Sequence, residues 1–290
     1  GLQSNLPHWT TSAKAALIFD QRNNRLFPSA GWFVQGSVEL ASPYLGSQLM
    51  PGAERYVKES LQQKPFNLRD SIGWLYKNGQ ANTFQRIELN ARAYMNFDEW
   101  LPLKGVVLKT NTQLGWINAS DDLIFENYYM GGFNTIRGYF LRSISPVSRV
   151  GPTGDPSAPL TEFRIGGDKE FFENLELEFP ILEQVGIRGV LFFDAGNVYA
   201  RDTENFFYIN TPANPLLQNA ECGNTRCWDA RTQLPLGLFY SAGAGIRWFS
   251  PIGPLRFELG FPLTPRPVNT FGFASGDQPF QFEFNVGNSF

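Results

Sequence analysis

The chain has 290 residues, 42% of them hydrophobic, and a net charge of −3, a length that holds one large sheet domain or two small ones. Its mean hydropathy is −0.24, and no stretch approaches the roughly 20 uninterrupted apolar residues of a spanning helix, which excludes a helical membrane protein. The slight acidity argues against nucleic acid as the main partner, and 27 Phe, 28 Gly and 20 Pro favour strands and turns over helices.

The opening residues, GLQSNLPHWTTSAK, carry neither the basic start nor the apolar core of a signal peptide. Either targeting has been removed or the chain begins partway through a longer protein. Strands are expected at about 12–20 and 31–41, the second in GWFVQGSVEL. Residues 54–64, ERYVKESLQQK, read as a short helix inside a long connection, and 54–80 leave room for one more hairpin. The segment FQRIELNARAYMNF, 84–97, is strictly alternating. Ile87, Leu89, Ala91, Ala93, Met95 and Phe97 share one face, against Arg86, Glu88, Asn90, Arg92, Tyr94 and Asn96 on the other. The scheme continues through 104–117, 170–181, 187–199, 239–250, 254–263 and 280–290, which makes nine strands.

Alternation of this kind also describes a soluble sandwich, but two features favour a membrane barrel. The strands run to about ten residues, where soluble ones average about five or six and spanning ones need about 9–11. Their polar faces carry successive Arg, Glu, Lys and Gln, as an aqueous interior requires, while Trp32, Trp116, Trp248 and Phe290 fall near strand ends, where an interfacial girdle belongs. Short turns alternate with long connections at about 42–83, 118–161 and 200–237, the asymmetry of periplasmic turns and extracellular loops. The fold class is therefore all-β, an antiparallel transmembrane β-barrel. Single-chain bacterial barrels close with an even strand number, and an open edge in lipid leaves backbone groups unsatisfied. Nine strands thus read as the C-terminal part of a larger barrel, whose missing strands, from an absent N-terminal portion or a separate chain, would be its partners.

The connection 118–161 contains YYMGGFNTIRGYF, in which Arg137 lies inside a glycine-flanked stretch. Downstream come LELEFP, VLFFDAGNVY, GIRWFSPIGPLRFELGFPL and a terminal FQFEFNVGNSF. In this order the series resembles BamA-type outer-membrane assembly proteins and their relatives, the two-partner secretion translocators among them, over nearly the whole chain. The resemblance implies that the arginine loop folds into the barrel lumen, with Arg137, Gly138 and Tyr139 at its tip and Asp194 as partner. Glu178, on an adjacent strand, would complete the site, and Phe192 shares the face of Asp194. The residues agree: Phe192, Asp194 and Gly196 share one face, Glu176 and Glu178 oppose Leu175, Leu177 and Phe179, and carboxylates belong on the lumen face. An arginine fork can hold a carboxylate with two bonds. Gly243 and Gly245 on the next strand would leave room for the loop.

The resemblance further implies an insertase that folds β-barrel proteins into the bacterial outer membrane. Phe280, Phe282, Phe284, Gly287 and Phe290 would form a C-terminal strand at a lateral gate. Unfolded barrel substrates, lipid, and accessory lipoproteins bound through POTRA domains outside this sequence would be its partners. The alternatives are a two-partner-secretion or TamA-like translocator and, further off, a passive porin-like channel.

Cys222 and Cys227, in AECGNTRCWDA, suit a small loop disulfide; free thiols are the next reading, and a metal site the last, for want of ligands near the sole His8. The same lone histidine leaves no nucleophile–base arrangement, and the glycine stretches lack the P-loop setting. The chain reads as a non-enzyme with no cofactor and no metal.

Overall fold

The computed structural model describes residues 8–45, 48–49, 83–100, 102, 104–119, 126–150, 161–164, 166–199, 235–250, 253–266 and 277–287. The Cys222 and Cys227 pair, the expected 54–64 helix, a further hairpin in 54–80, and Phe290 lie outside them. Among the described residues nine strands form one antiparallel sheet: β1 (Ser12–Asp20), β2 (Gly31–Ala41), β3 (Phe84–Asn96), β4 (Val107–Ala119), β5 (Lys169–Leu182), β6 (Ile187–Tyr199), β7 (Phe239–Ser250), β8 (Gly253–Pro262) and β9 (Gln281–Val286). Each pairs with its sequence neighbours, a plain meander from β1 to β9. Two short pairs, His8–Trp9 with Gln48–Leu49 and Val147–Val150 with Thr161–Arg164, stand outside this sheet.

The expected strands and the observed ones agree closely. The start of β4 falls later than expected because Asp98 organises the preceding turn. Its carboxylate accepts the Gly105 amide at 2.5 Å, and Phe97 N–H donates to the Val106 carbonyl at 3.0 Å. At the other end of the chain β9 stops at Val286, and the next amide, of Gly287, donates to Pro254 at 2.8 Å.

Burial is inverted relative to a soluble sheet. Outward Leu89, Leu191, Leu259 and Phe284 are 40%, 49%, 40% and 53% exposed, whereas inward Glu176, Asp194 and Glu258 are 1%, 0% and 2% exposed. The apolar face meets the surroundings and the charged face lies inside, the arrangement that lipid imposes on a barrel wall. Trp32, Trp116 and Trp248 are also outward and partly exposed near their strand ends. Glu173 departs from the pattern: it lies on the outward face of β5, where the Thr112 hydroxyl hydrogen-bonds its carboxylate.

Four connections at one end are short, 21–30, 97–106, 183–186 and 251–252, and four at the other are longer, 42–83, 120–168, 200–238 and 263–280. The sheet curls strongly. Phe27, in the turn between β1 and β2, packs edge-on against Phe249 of β7 with ring centroids 4.4 Å apart. Within the described residues the outer edges of β1 and β9 have no strand beside them in this sheet.

This arrangement predicts opposite responses on the two faces. In the membrane-inserted protein, Leu89→Arg should cost about 2–4 kcal/mol if it lies near the bilayer midplane. Gln113→Lys, pointing inward near Glu170, should cost far less. The urea midpoint of the folded band on unheated gels reads both, and equal loss from the two would contradict the assigned facing.

Candidate functional site

Between β4 and β5, residues 126–146 form a compact finger on the concave face. Its neck is a two-way backbone pair, Met130 N–H to Ile144 carbonyl at 3.0 Å and Ile144 N–H to Met130 carbonyl at 2.9 Å. Tyr128 pairs similarly with Gly167. Above the neck, Thr135 accepts the Gly131 amide on its hydroxyl at 2.9 Å, and Gly132 N–H donates to the Ile136 carbonyl at 3.1 Å. Met130, Ile136, Tyr139 and Ile144 are buried with Phe84, Ile117, Phe172, Val198 and Phe239 of the wall. The hydrophobic core of the described chain is therefore the contact between finger and wall.

At the tip, Arg137 is 2% exposed. Its Nε and Nη2 grip Asp194 at 2.8 and 2.6 Å, and its backbone N–H donates to the same carboxylate at 3.0 Å. Nη1 donates to Glu176 at 2.5 Å and to Glu258 at 3.2 Å, and the guanidinium stacks 3.7 Å from the centroid of Phe192. Burial alone would lower the Arg137 pKa; the Asp194, Glu176 and Glu258 carboxylates reverse this and hold it well above the ordinary value. The side chain is thus a fixed cation. Losing one member of such a buried set leaves uncompensated charge, at about 3–5 kcal/mol.

The sheet's cross-strand rows explain the geometry. One row runs Glu176, Phe192, Gly243, Gly260; the row on one side contains Asn174, Asp194 and Ser241; the row on the other contains Glu178, Val190, Gly245, Glu258 and Glu283. The finger backbone crosses the first row at Gly260. A Cβ there would stand 2.5 Å from the Gly138 nitrogen, and Gly138 itself has φ +85°, which disfavours any other residue. The Gly138 amide donates to Glu283 of β9 at 3.2 Å, and the Tyr139 hydroxyl donates to the Tyr240 carbonyl at 3.0 Å while meeting the Thr264 hydroxyl at the same distance.

Two expectations need correction. Glu178 does not touch Arg137; it binds Lys109 at 2.6 Å, Arg188 at 2.5 Å and Arg247 at 3.1 Å, because it lies two rows away from Asp194 along β5. Glu176 and Glu258 take the expected place. Nor do Gly243 and Gly245 make room for the loop. A Cβ at Gly243 would meet the Phe192 ring at 2.3 Å and one at Gly245 the Glu258 side chain at 2.6 Å, so they seat the groups that hold the arginine. Arg247 and Arg256 complete a buried charge network through Glu176 and Glu258. Alternation marks all of these as inward charges, but which of them meet depends on register across four strands. In β9, Phe282 and Phe284 point outward, with Phe280 exposed just before the strand.

Gly260→Val should expel the tip without altering any charge. Limited trypsin digestion of the folded protein, read by mass spectrometry, should then show cleavage after Arg137, a bond shielded in the parent. Continued resistance at that bond, with cleavage after exposed Arg142 as the reference, would contradict the close fit.

Comparison with known proteins agrees with this architecture. Residues 2–290 match the Omp85 superfamily domain. The outer membrane protein assembly factor BamA of Nitratidesulfovibrio vulgaris is 34% identical over 174 residues, 60% of this chain and 17% of that protein. BamA of Neisseria meningitidis serogroup B is 29% identical over 179 residues, 61% of this chain and 20% of its own. The crystal structure of BamA from Haemophilus ducreyi lacking POTRA domains 1-3 superposes with a TM-score of 0.57 at 20% identity, covering 95% of this chain and 42% of that one. The matched part of this chain therefore spans between 17% and 42% of the length of these relatives. From its inverted nine-stranded wall and the match along its length, the chain belongs to the Omp85 superfamily of outer-membrane β-barrel proteins.

Proposed function

We propose that this chain is the C-terminal barrel region of an assembly factor that folds β-barrel proteins and inserts them into the bacterial outer membrane. The observation that carries the reading is the arginine-anchored finger, seated on the inner wall beside a terminal strand whose outer edge is unpaired among the described residues, in a chain of the Omp85 superfamily. The relatives named as outer membrane protein assembly factors support it.

In this reading Arg137, Gly138 and Tyr139 form a latch held by Asp194, Phe192, Glu176 and Glu258. The latch keeps β7, β8 and β9 in a defined position while β9 works. An edge strand offers a row of unpaired N–H and C=O groups, a template on which an incoming strand can add by β-augmentation. Phe280, Phe282 and Phe284 hold that edge in lipid. In a complete 16-stranded barrel β9 would face the first strand across a lateral gate. The long connections would be extracellular, and POTRA domains with accessory lipoproteins would deliver unfolded substrate from the periplasm. The driving force is the substrate's own folding and burial, so the role is non-enzymatic. A finger anchored on the concave face speaks against a passive porin-like channel.

Depletion of the protein in its own cell tests the reading. Many unrelated outer-membrane barrels should fall together in the membrane fraction, with unfolded forms accumulating in the periplasm. Loss of one exported protein, with other barrels unchanged, would overturn it in favour of a dedicated translocator.

A further inference from the structure

The clamp that fixes Arg137 occurs a second time in the molecule, on the connection between β8 and β9. Arg266 donates from its backbone N–H to Asp277 Oδ2 at 2.7 Å, from Nε to the same oxygen at 2.8 Å, and from Nη2 to Oδ1 at 2.5 Å. These are the three bonds that join Arg137 to Asp194, atom for atom. The Asp277 amide returns a bond to the Arg266 carbonyl at 3.1 Å. Both side chains are sequestered, at 6% and 1% exposure. Two prolines flank the arginine, Pro265 and Pro267. Because Pro267 follows it, the Arg266 backbone is biased to an extended conformation before any tertiary contact forms.

Nη1 of Arg266 donates to the carbonyl of Ser143 at 2.6 Å and Nη2 reaches the Ser143 hydroxyl at 3.1 Å. Ser143 lies on the returning arm of the finger, one residue before its neck. One guanidinium therefore ties three separate segments: the exit from β8, the approach to β9, and the finger. Two other contacts run the same way, Tyr139 to Thr264 and Gly138 to Glu283. Glu283 sits in the middle of β9, which is otherwise held through its pairing with β8 from Leu255–Val286 to Gly260–Gln281.

We propose that Arg266 is a positioning residue that couples the finger to the terminal hairpin, so that β9 and the finger hold or loosen as one body. Arg137 pins the tip to β5, β6 and β8, and Arg266 pins the returning arm to both ends of the β8–β9 connection. Peeling β9 from β8 therefore strains the Asp277 clamp, and through Ser143 that strain reaches the finger. Lifting the finger withdraws Gly138 from Glu283 and Ser143 from Arg266, leaving β9 attached through its ladder and the Arg266–Asp277 clamp, both of them contacts to β8 and its exit. On the assembly reading, on which its functional meaning rests, this links the state of the edge strand to the state of the latch.

Hydrogen–deuterium exchange on the full-length protein in lipid nanodiscs tests the coupling. Arg266→Ala should speed exchange roughly tenfold or more in both 281–286 and 131–144, two segments that the substitution does not touch in sequence, while β3 and β4 stay at parental rates. Should that variant fail to accumulate, Arg266→Lys is read in the same way. It keeps the charge and stem, but a single ammonium cannot span both Asp277 oxygens and Ser143, so a smaller rise in the same two segments is expected. Faster exchange confined to the residues around 263–266 and 277 would make the clamp a local staple and overturn the proposal. Barrel assembly measured in the same strains separates the two ideas. Coupled loosening with undiminished assembly would support the clamp and count against the assembly role.

Discussion

A guanidinium leaves water only where other charges replace the solvent, and the interior of this sheet is arranged around that requirement. Arg137 brings one positive charge on a loop, and the wall supplies Asp194 from β6, Glu176 from β5 and Glu258 from β8. None of the three carboxylates would be tolerable at that depth without cations, and two of them, Glu176 and Glu258, also serve the buried cations Arg247 and Arg256. The network therefore stands or falls as a unit. It ties a loop between β4 and β5 to strands far along the chain, with a sequence separation of 121 residues between Arg137 and Glu258. In a meander where each strand pairs only with its neighbours, the network adds a direct cross-link among β5, β6 and β8.

Shape and charge cooperate at the tip. Gly260 lets the Arg137–Gly138 backbone lie directly on β8, while Gly243 admits the Phe192 ring that stacks on the guanidinium. A side chain at either place would lift the arginine away from its carboxylates. The apolar residues of the finger then fill the remaining space, so the polar anchor sets the position and hydrophobic packing rigidifies it. The outward face serves a different solvent. Its exposed Leu, Phe and Trp residues suit lipid and contribute nothing to the interior.

How much of this can be read in the sequence depends on the range of the interaction. Strand positions and facings come from period-two alternation, a local property, and FQRIELNARAYMNF emerges as a strand with the facing its pattern dictates. The inward setting of Asp194, Glu176 and Glu178 is local too. Which carboxylate meets Arg137 is not, since it follows from register across β5, β6, β7 and β8; Glu178, chosen on its strand position alone, binds Lys109, Arg188 and Arg247 instead. Gly260 looks like any strand glycine until the finger is laid on it. Arg266, in LTPRPVN, reads as loop punctuation, because its partners Asp277 and Ser143 are brought to it only by the folded finger and hairpin.

Arg137 and Asp194 hold the finger as an interacting pair within this network. A double-mutant cycle on the folded protein in lipid tests it most directly, with unfolding free energies measured for Arg137→Ala, Asp194→Ala and the double variant. The double substitution should cost less than the sum of the singles by more than about 1 kcal/mol, within the range of directly coupled residues. Additivity to within about 0.5 kcal/mol, the behaviour of independent sites, would contradict it.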